Sequence, residues 1–412
     1  MMTRGIVRTI PIVFALVLFC GADWLQFRGP GNNSFIADGR VPTDFDVKSG
    51  RNVAWRVELP GRGPSSPIVV QGRVIVTCSS GARQDRLHVL AFAVDTGKQL
   101  WHRQLWATGH TICNPFGAVA APTPASDRER IFAFFGSNDL ACFDLEGNLK
   151  WFRGLAYERP DARNDNGMSS SPVVVDSVVI VQVENEGDSF ATGIDVRTGK
   201  TKWLHNRENR AIWASPTLLK GRNGGDEVVL MQSASRITAH DPSTGRQVWD
   251  FKAHCHTIAS ATALDKRVYL PAKGMKVLEY DPTSKSVELV WENHRLRSTH
   301  SSPLVYNGQV YTIKSGILAC GDADDGRVIW QLRLEGSFWA TPVIVGEHLF
   351  AVSHNGLVHV VQLGNKGKLV GKYSLGEEIL GSIAVSDSAM FIRSDAHLMK
   401  IAFAEVEDFD GR

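Results

Sequence analysis

Two stretches hold most of the side chains able to do chemistry. HRQLWATGHTICNPFGAVAAP carries His102, Trp106, His110, Cys113, Asn114 and Phe116, and FRGLAYERPDARNDNGMSS carries Tyr157, Glu158, Arg159, Asp161, Arg163, Asn164, Asp165 and Asn166. Asp, Asn and Glu oxygens are the donors Ca²⁺ prefers, but DARNDNG lacks the spacing and terminal Glu of an EF-hand loop. Such Asn/Asp/Gly clusters make turns, so no metal is predicted. No G-x-S-x-G or H-E-x-x-H occurs, and His240-Asp241 sits in a repeated turn. No catalytic residue is assigned. Aromatic rings, carboxamides and mixed charges suit binding instead.

These stretches interrupt a repeat. DVRTGKTKW, ending at Trp203, recurs as DTGKQLW at Trp101, DLEGNLKW at Trp151, DPSTGRQVW at Trp249, DPTSKSVELVW at Trp291 and DADDGRVIW at Trp330, and Trp55 stands in a partial copy, VAWRVELPG. An Asp ends an apolar strand, a small residue makes a turn, and in five copies Trp follows the turn Gly by four positions. That is a hairpin closed by an aromatic plug. Ser-Pro or Thr-Pro then opens a new apolar strand, 12 residues after Trp55, Trp291 and Trp330 and 13 after Trp203. A Pro at the first strand position costs no ladder bond.

Each unit reads as four strands: PVVVD from Pro172, VVIVQV from Val178, Phe190 to Asp195, and TKWLH around Trp203. First strands begin near Pro67, Pro124, Pro172, Pro216, Ala261, Pro303, Pro342 and Ile383. The last unit lacks a fourth strand, and the orphan strand at Trp55 supplies it. The prediction is all-β: an eight-bladed β-propeller of four-stranded blades, closed by the N-terminal strand.

The D-x-x-T-G-x-x-x-W repeats resemble those of the pyrroloquinoline-quinone-like propeller family, over residues 51 to 405. That family includes the quinoprotein alcohol dehydrogenases and the lipoprotein scaffold of outer-membrane β-barrel assembly, and the chain resembles the scaffold more closely. The resemblance implies that Trp55, Trp101, Trp151, Trp203, Trp249, Trp291 and Trp330 dock on neighbouring blades and are structural. It also offers the alternative of a dehydrogenase using pyrroloquinoline quinone and Ca²⁺. The dehydrogenases carry adjacent cysteines against the quinone, and this chain has none. No cofactor is predicted.

Sites are sought where units depart from the consensus. Trp101 to Pro124 spans 23 residues and Trp151 to Pro172 spans 21. The loops at SSGARQDRL and ENEGDSF, which share their face, are also enlarged. Ser169, Trp213, Ile258, His300 and Trp339 lie three positions before the strand-opening residue, so they ring the mouth of the central channel. Candidate binding residues are His102, Trp106, His110, Asn114, Tyr157, Arg159, Asp161, Arg163, Asn166, Trp213, His300 and Trp339. The expected partner is a protein or a carbohydrate.

Among the 412 residues, 43% are hydrophobic. Residues 1 to 22, with Arg4 and Arg8 before the apolar run Ile10 to Phe19, read as a signal peptide. Without Arg4 and Arg8 the acidic and basic residues are equal in number, which gives no footprint for nucleic acid. An exported monomer in the periplasm or cell envelope is expected, touching membrane only if Cys20 is acylated. Residues 23 to 50 read as an irregular strap over the main body, with Trp24 and Phe27 packed inward, and 406 to 412 as a tail. A Cys113 to Cys255 disulfide is one possibility for an exported chain; Cys142 and Cys320 read as buried hydrophobes.

Overall fold

The computed structural model describes residues 23–220 and 227–404. The segment read as a signal peptide, with Cys20, and the tail from 406 lie outside the described residues.

Eight sheets are arranged radially, seven of four strands and one of five. In the third blade the antiparallel strands are Val173–Val175, Val178–Val183, Phe190–Asp195 and Thr201–Asn206. The inner strands are buried apolar runs, as stacked sheets require. Every fourth strand slips register against the third, as where Gly193 pairs Trp203 but Ile194 pairs Thr201. This bulge aims the Trp sideways at the next blade.

The seam it builds is reciprocal. Trp101 of blade one donates Nε1–H to Leu145 O in blade two at 2.9 Å. Gly147, in the adjoining turn, lies flat on its ring; with φ of 80° and a Cβ only 2.6 Å from Trp101, no other residue fits without strain. Trp55, Trp151, Trp203, Trp291 and Trp330 make the same indole-to-carbonyl bond across their seams. Trp249 is the exception, its buried Nε1 having no partner. The turn it faces, DPTSKS, has no Gly and places Lys285 at φ 53°.

The ring closes between chain ends. Val53–Glu58 pairs antiparallel with His397–Ala402, completing blade eight. That closure explains the missing seventh-blade Trp. In blade eight the third and fourth strands come from distant parts of the chain, so no connecting turn joins them for a Trp to dock on, and Gly371 stands in its place. Tyr373 covers Gly371, and Phe45 packs on Tyr373 at 5.0 Å between ring centres.

A second closure runs round the channel. The residue before each first strand is Ser or Thr in all eight blades, and its backbone N–H donates to the hydroxyl of its counterpart in the next, from Ser66 to Thr123 round to Ser382 and back, at 2.9 to 3.0 Å. Residues 23 to 50 do more than cover the body, for they tie the inner strands together from below. Trp24 pairs with Val69 of blade one, Asn33 with Val305 of blade six, and Phe35–Ile36 adds a parallel strand to Val343–Val345 of blade seven. Arg28 is buried in the channel, donating to Thr217 Oγ1 at 3.0 Å, Thr262 Oγ1 at 2.6 Å and Ala261 O at 2.7 Å. Burial pulls it down to about 9.

All five described cysteines are free. Cys255 is buried in the blade-five wall and Cys113 accepts from Gln84, so the structure forms no bond between them. Burial pushes Cys142 and Cys320 up to about 12, as inert packing residues.

Candidate functional site

One end of the channel opens into a cavity of about 220 Å³, whose wall is two stacked tiers. The inner tier is the Ser/Thr ring, with Phe27 of the N-terminal segment below it. Two positions upstream of each hydroxyl comes the outer tier: Pro64, Ala121, Ser169, Trp213, Ile258, His300, Trp339 and Leu380, one residue per blade. The large rings crowd one side. His300 and Trp339 lie 4.2 Å apart between ring centres, and Phe116 stacks on Trp339 at 6.1 Å. Burial lowers the His300 pKa, favouring the neutral imidazole.

The two insertions roof the mouth. Asn114 Nδ2 donates to Asn166 O at 3.2 Å, and Trp213 Nε1 donates to Gly167 O at 2.8 Å, pinning the indole to the second insertion. The Asn/Asp cluster of that insertion works as loop architecture: Asn164 Nδ2 donates to Gly136 O at 3.0 Å and to Asn138 Oδ1 at 2.8 Å. Among the described residues no three His, Cys, Asp or Glu side chains converge as metal ligands.

Asn114, Asn166, Trp213, His300 and Trp339 therefore line one cavity. The other candidates lie apart from it. His102 is within the outer strand Gln99–Trp106, its Nε2 2.9 Å from His88 Nδ1. Trp106 is exposed at that strand's end beneath the Arg86 guanidinium. Arg159 pairs with Asp188 at 3.1 Å and lies over Phe190. Asp161 accepts backbone bonds from Asp188 and Arg163, and His110, Tyr157 and Arg163 are exposed. Phe116 and Phe27 belong to the cavity and were not among the candidates. Phe116 sat in a loop already marked as enlarged; nothing in the sequence around Phe27 tells that it reaches the channel.

The chain's relatives bear on the use of this channel mouth. The model of the family described as outer membrane protein assembly factor BamB matches residues 28–211, 161–253 and 210–405. The chain belongs to that family. It is 21% identical over 326 residues to the outer membrane protein assembly factor BamB of Yersinia pestis, covering 66% of this chain and 79% of that protein. The crystal structure of BamB from Moraxella catarrhalis superposes with a TM-score of 0.65 at 17% identity, over 86% of this chain and 98% of that one. The quinohemoprotein alcohol dehydrogenase of Comamonas testosteroni superposes with a TM-score of 0.70 at 12% identity, over 95% and 82%. At such identities the superpositions establish the shared propeller.

The dehydrogenase likeness raises the question of a quinone. Pyrroloquinoline quinone is a polycarboxylate held with a hard cation, which demands basic side chains for the one and anionic oxygens for the other. No Arg, Lys, Asp or Glu lines the mouth. The residues present do not fit that cofactor.

Proposed function

We propose that this chain is an exported, non-enzymatic scaffold in the periplasm, which holds a protein partner on its loop-rich face during outer membrane protein assembly. The observation that carries the reading is the chemistry of the channel mouth: Phe116, Trp213, His300 and Trp339 beside Asn114 and Asn166, with no charged side chain in the lining. Half-exposed rings next to carboxamides match a protein ligand, where aromatics supply buried area and amides bond the partner's backbone. The family relationship supports the same direction, since the family is described as an outer membrane protein assembly factor.

Affinity capture of the tagged full chain from its own cell envelope tests this. An outer membrane assembly protein is expected to co-purify, and Phe116→Asp with Trp339→Asp should weaken its retention by at least about tenfold, as central interface aromatics do. Undiminished capture by a folded double variant would refute the site.

A further inference from the structure

Beside the channel mouth, on the same face, a separate pocket of about 320 Å³ opens between blades five and six. Arg295 and Arg297 enter it from the connection between the blades, Lys314 and Ser315 from a hairpin turn of blade six, and Thr312 and Gln331 from its strands. We propose that this pocket binds a phosphate group, carried on a lipid headgroup or free in solution.

The pocket is cationic without compensation. No carboxylate lines it, and among the described residues Arg295, Arg297 and Lys314 have no carboxylate within ion-pair distance. Arg297 spends its Nε–H on His294 O at 2.7 Å, leaving the rest of its fork free for a ligand. Glu292, the acid of the neighbouring strand, pairs with Lys276 and lies 3.8 Å from His294 of the pocket lining, but forms no ion pair with Arg295, Arg297 or Lys314. Thr312 gives a second, independent sign. It is 1% exposed, yet its hydroxyl has no hydrogen-bond partner, a state that buried polar groups rarely hold without a ligand or water.

The pocket is also preorganised. Ser315 and Gly316 take φ of 50° and 73° in a two-residue turn, and a Cβ on Gly316 would meet Leu334 O at 2.7 Å. Leu334 N–H donates to Gly316 O at 2.7 Å, which fixes the turn and with it the stem of Lys314. Nearby His256 senses the field: burial first, then the charges of Lys314, His300 and Arg297, lower its pKa. Three cations with hydroxyl and amide donors exceed what the two oxygens of one carboxylate can accept, and they suit a tetrahedral oxyanion.

Binding of inorganic phosphate to the full chain by calorimetry, with flotation on phosphatidylcholine vesicles with and without phosphatidic acid, tests the assignment. Saturable phosphate binding that weakens with added salt is expected. Arg297→Ala with Lys314→Ala should reduce affinity at least about tenfold. Thr312→Val, which leaves the charge unchanged, should reduce it about fivefold with the thermal midpoint retained. Flotation with phosphatidic acid that free phosphate competes away identifies a headgroup; phosphate binding without flotation identifies the free ion. The proposal is overturned if wild type binds neither ligand better than the double variant, if Thr312→Val binds as tightly as wild type, or if a Glu-rich peptide binds where phosphate does not.

Discussion

At Trp101 the repeat's logic is visible in one residue. Its ring is 8% exposed and its indole N–H caps a carbonyl in the next blade, so packing and hydrogen bonding act together across the seam. Trp101→Ala should cost about 3–5 kcal/mol in urea unfolding, the range for a large buried ring. A finer contrast separates the two contributions. Trp101→Phe strips Leu145 O of its donor, whereas Trp249→Phe removes an Nε1–H that has no partner and relieves an unsatisfied group. The second substitution should be milder by about 1 kcal/mol, and equal costs would show that the seam bond contributes nothing. Recurrence at one register makes these Trp residues readable as one class in one environment, and the family resemblance is what implies that they dock on the neighbouring blade. Neither makes the Trp249 exception readable, since that depends on the turn of the following blade.

Among the elements, the Ser/Thr ring and the N-terminal segment contrast in legibility. Ser or Thr before every first strand is plain in the sequence, and the strand-opening prolines fit the extended backbone that such a position imposes. The step from residue type to a closed circle of hydrogen bonds needs the curvature of the ring, which no single unit contains. The N-terminal segment has no repeat to align, so its course up to the channel was unreadable; Arg28 bonds residues 189 and 234 positions away. Arg28 is a buried cation with three neutral acceptors, and the charge itself is costly to bury. Arg28→Met, which keeps volume and discards charge, should therefore cost less than Arg28→Ala, for which about 2–4 kcal/mol is expected. Thermal unfolding of both variants decides the order, and a Met variant no better than Ala would mean that the hydrogen bonds dominate.

Across the whole molecule, the eight-bladed count and its closure at Trp55 followed from spacing, because a repeat that buries its faces only against neighbours must close or cap. The candidate site is legible to the extent that its residues obey the same register: alignment to the first strands places Trp213, His300 and Trp339 at the channel mouth, while the contacts of Arg159 and His102 are tertiary and hidden from it. Acid should loosen the ring in a definite window. Burial holds His88 and His240 down to about 4 against an ordinary 6.5, so the folded chain binds fewer protons than the unfolded one between those values. Stability is then fully present above pH 6.5 and is lost as pH falls toward 4. His240→Gln should flatten this part of the melting profile, and an unchanged slope would contradict the assignment. Titration with pyrroloquinoline quinone and Ca²⁺ should leave Trp fluorescence unchanged and give no dye-linked alcohol oxidation, because the neutral mouth provides for neither ligand.

The scaffold account rests on one face being the working face. A photo-crosslinking side chain placed at Phe116, 55% exposed at the channel mouth, and in a second variant at Thr244, in a turn at the opposite end of the blades, tests it in intact cells. Adducts to an outer membrane assembly protein from Phe116 and none from Thr244 are predicted. Adducts from Thr244 alone, or equally from both, would contradict it.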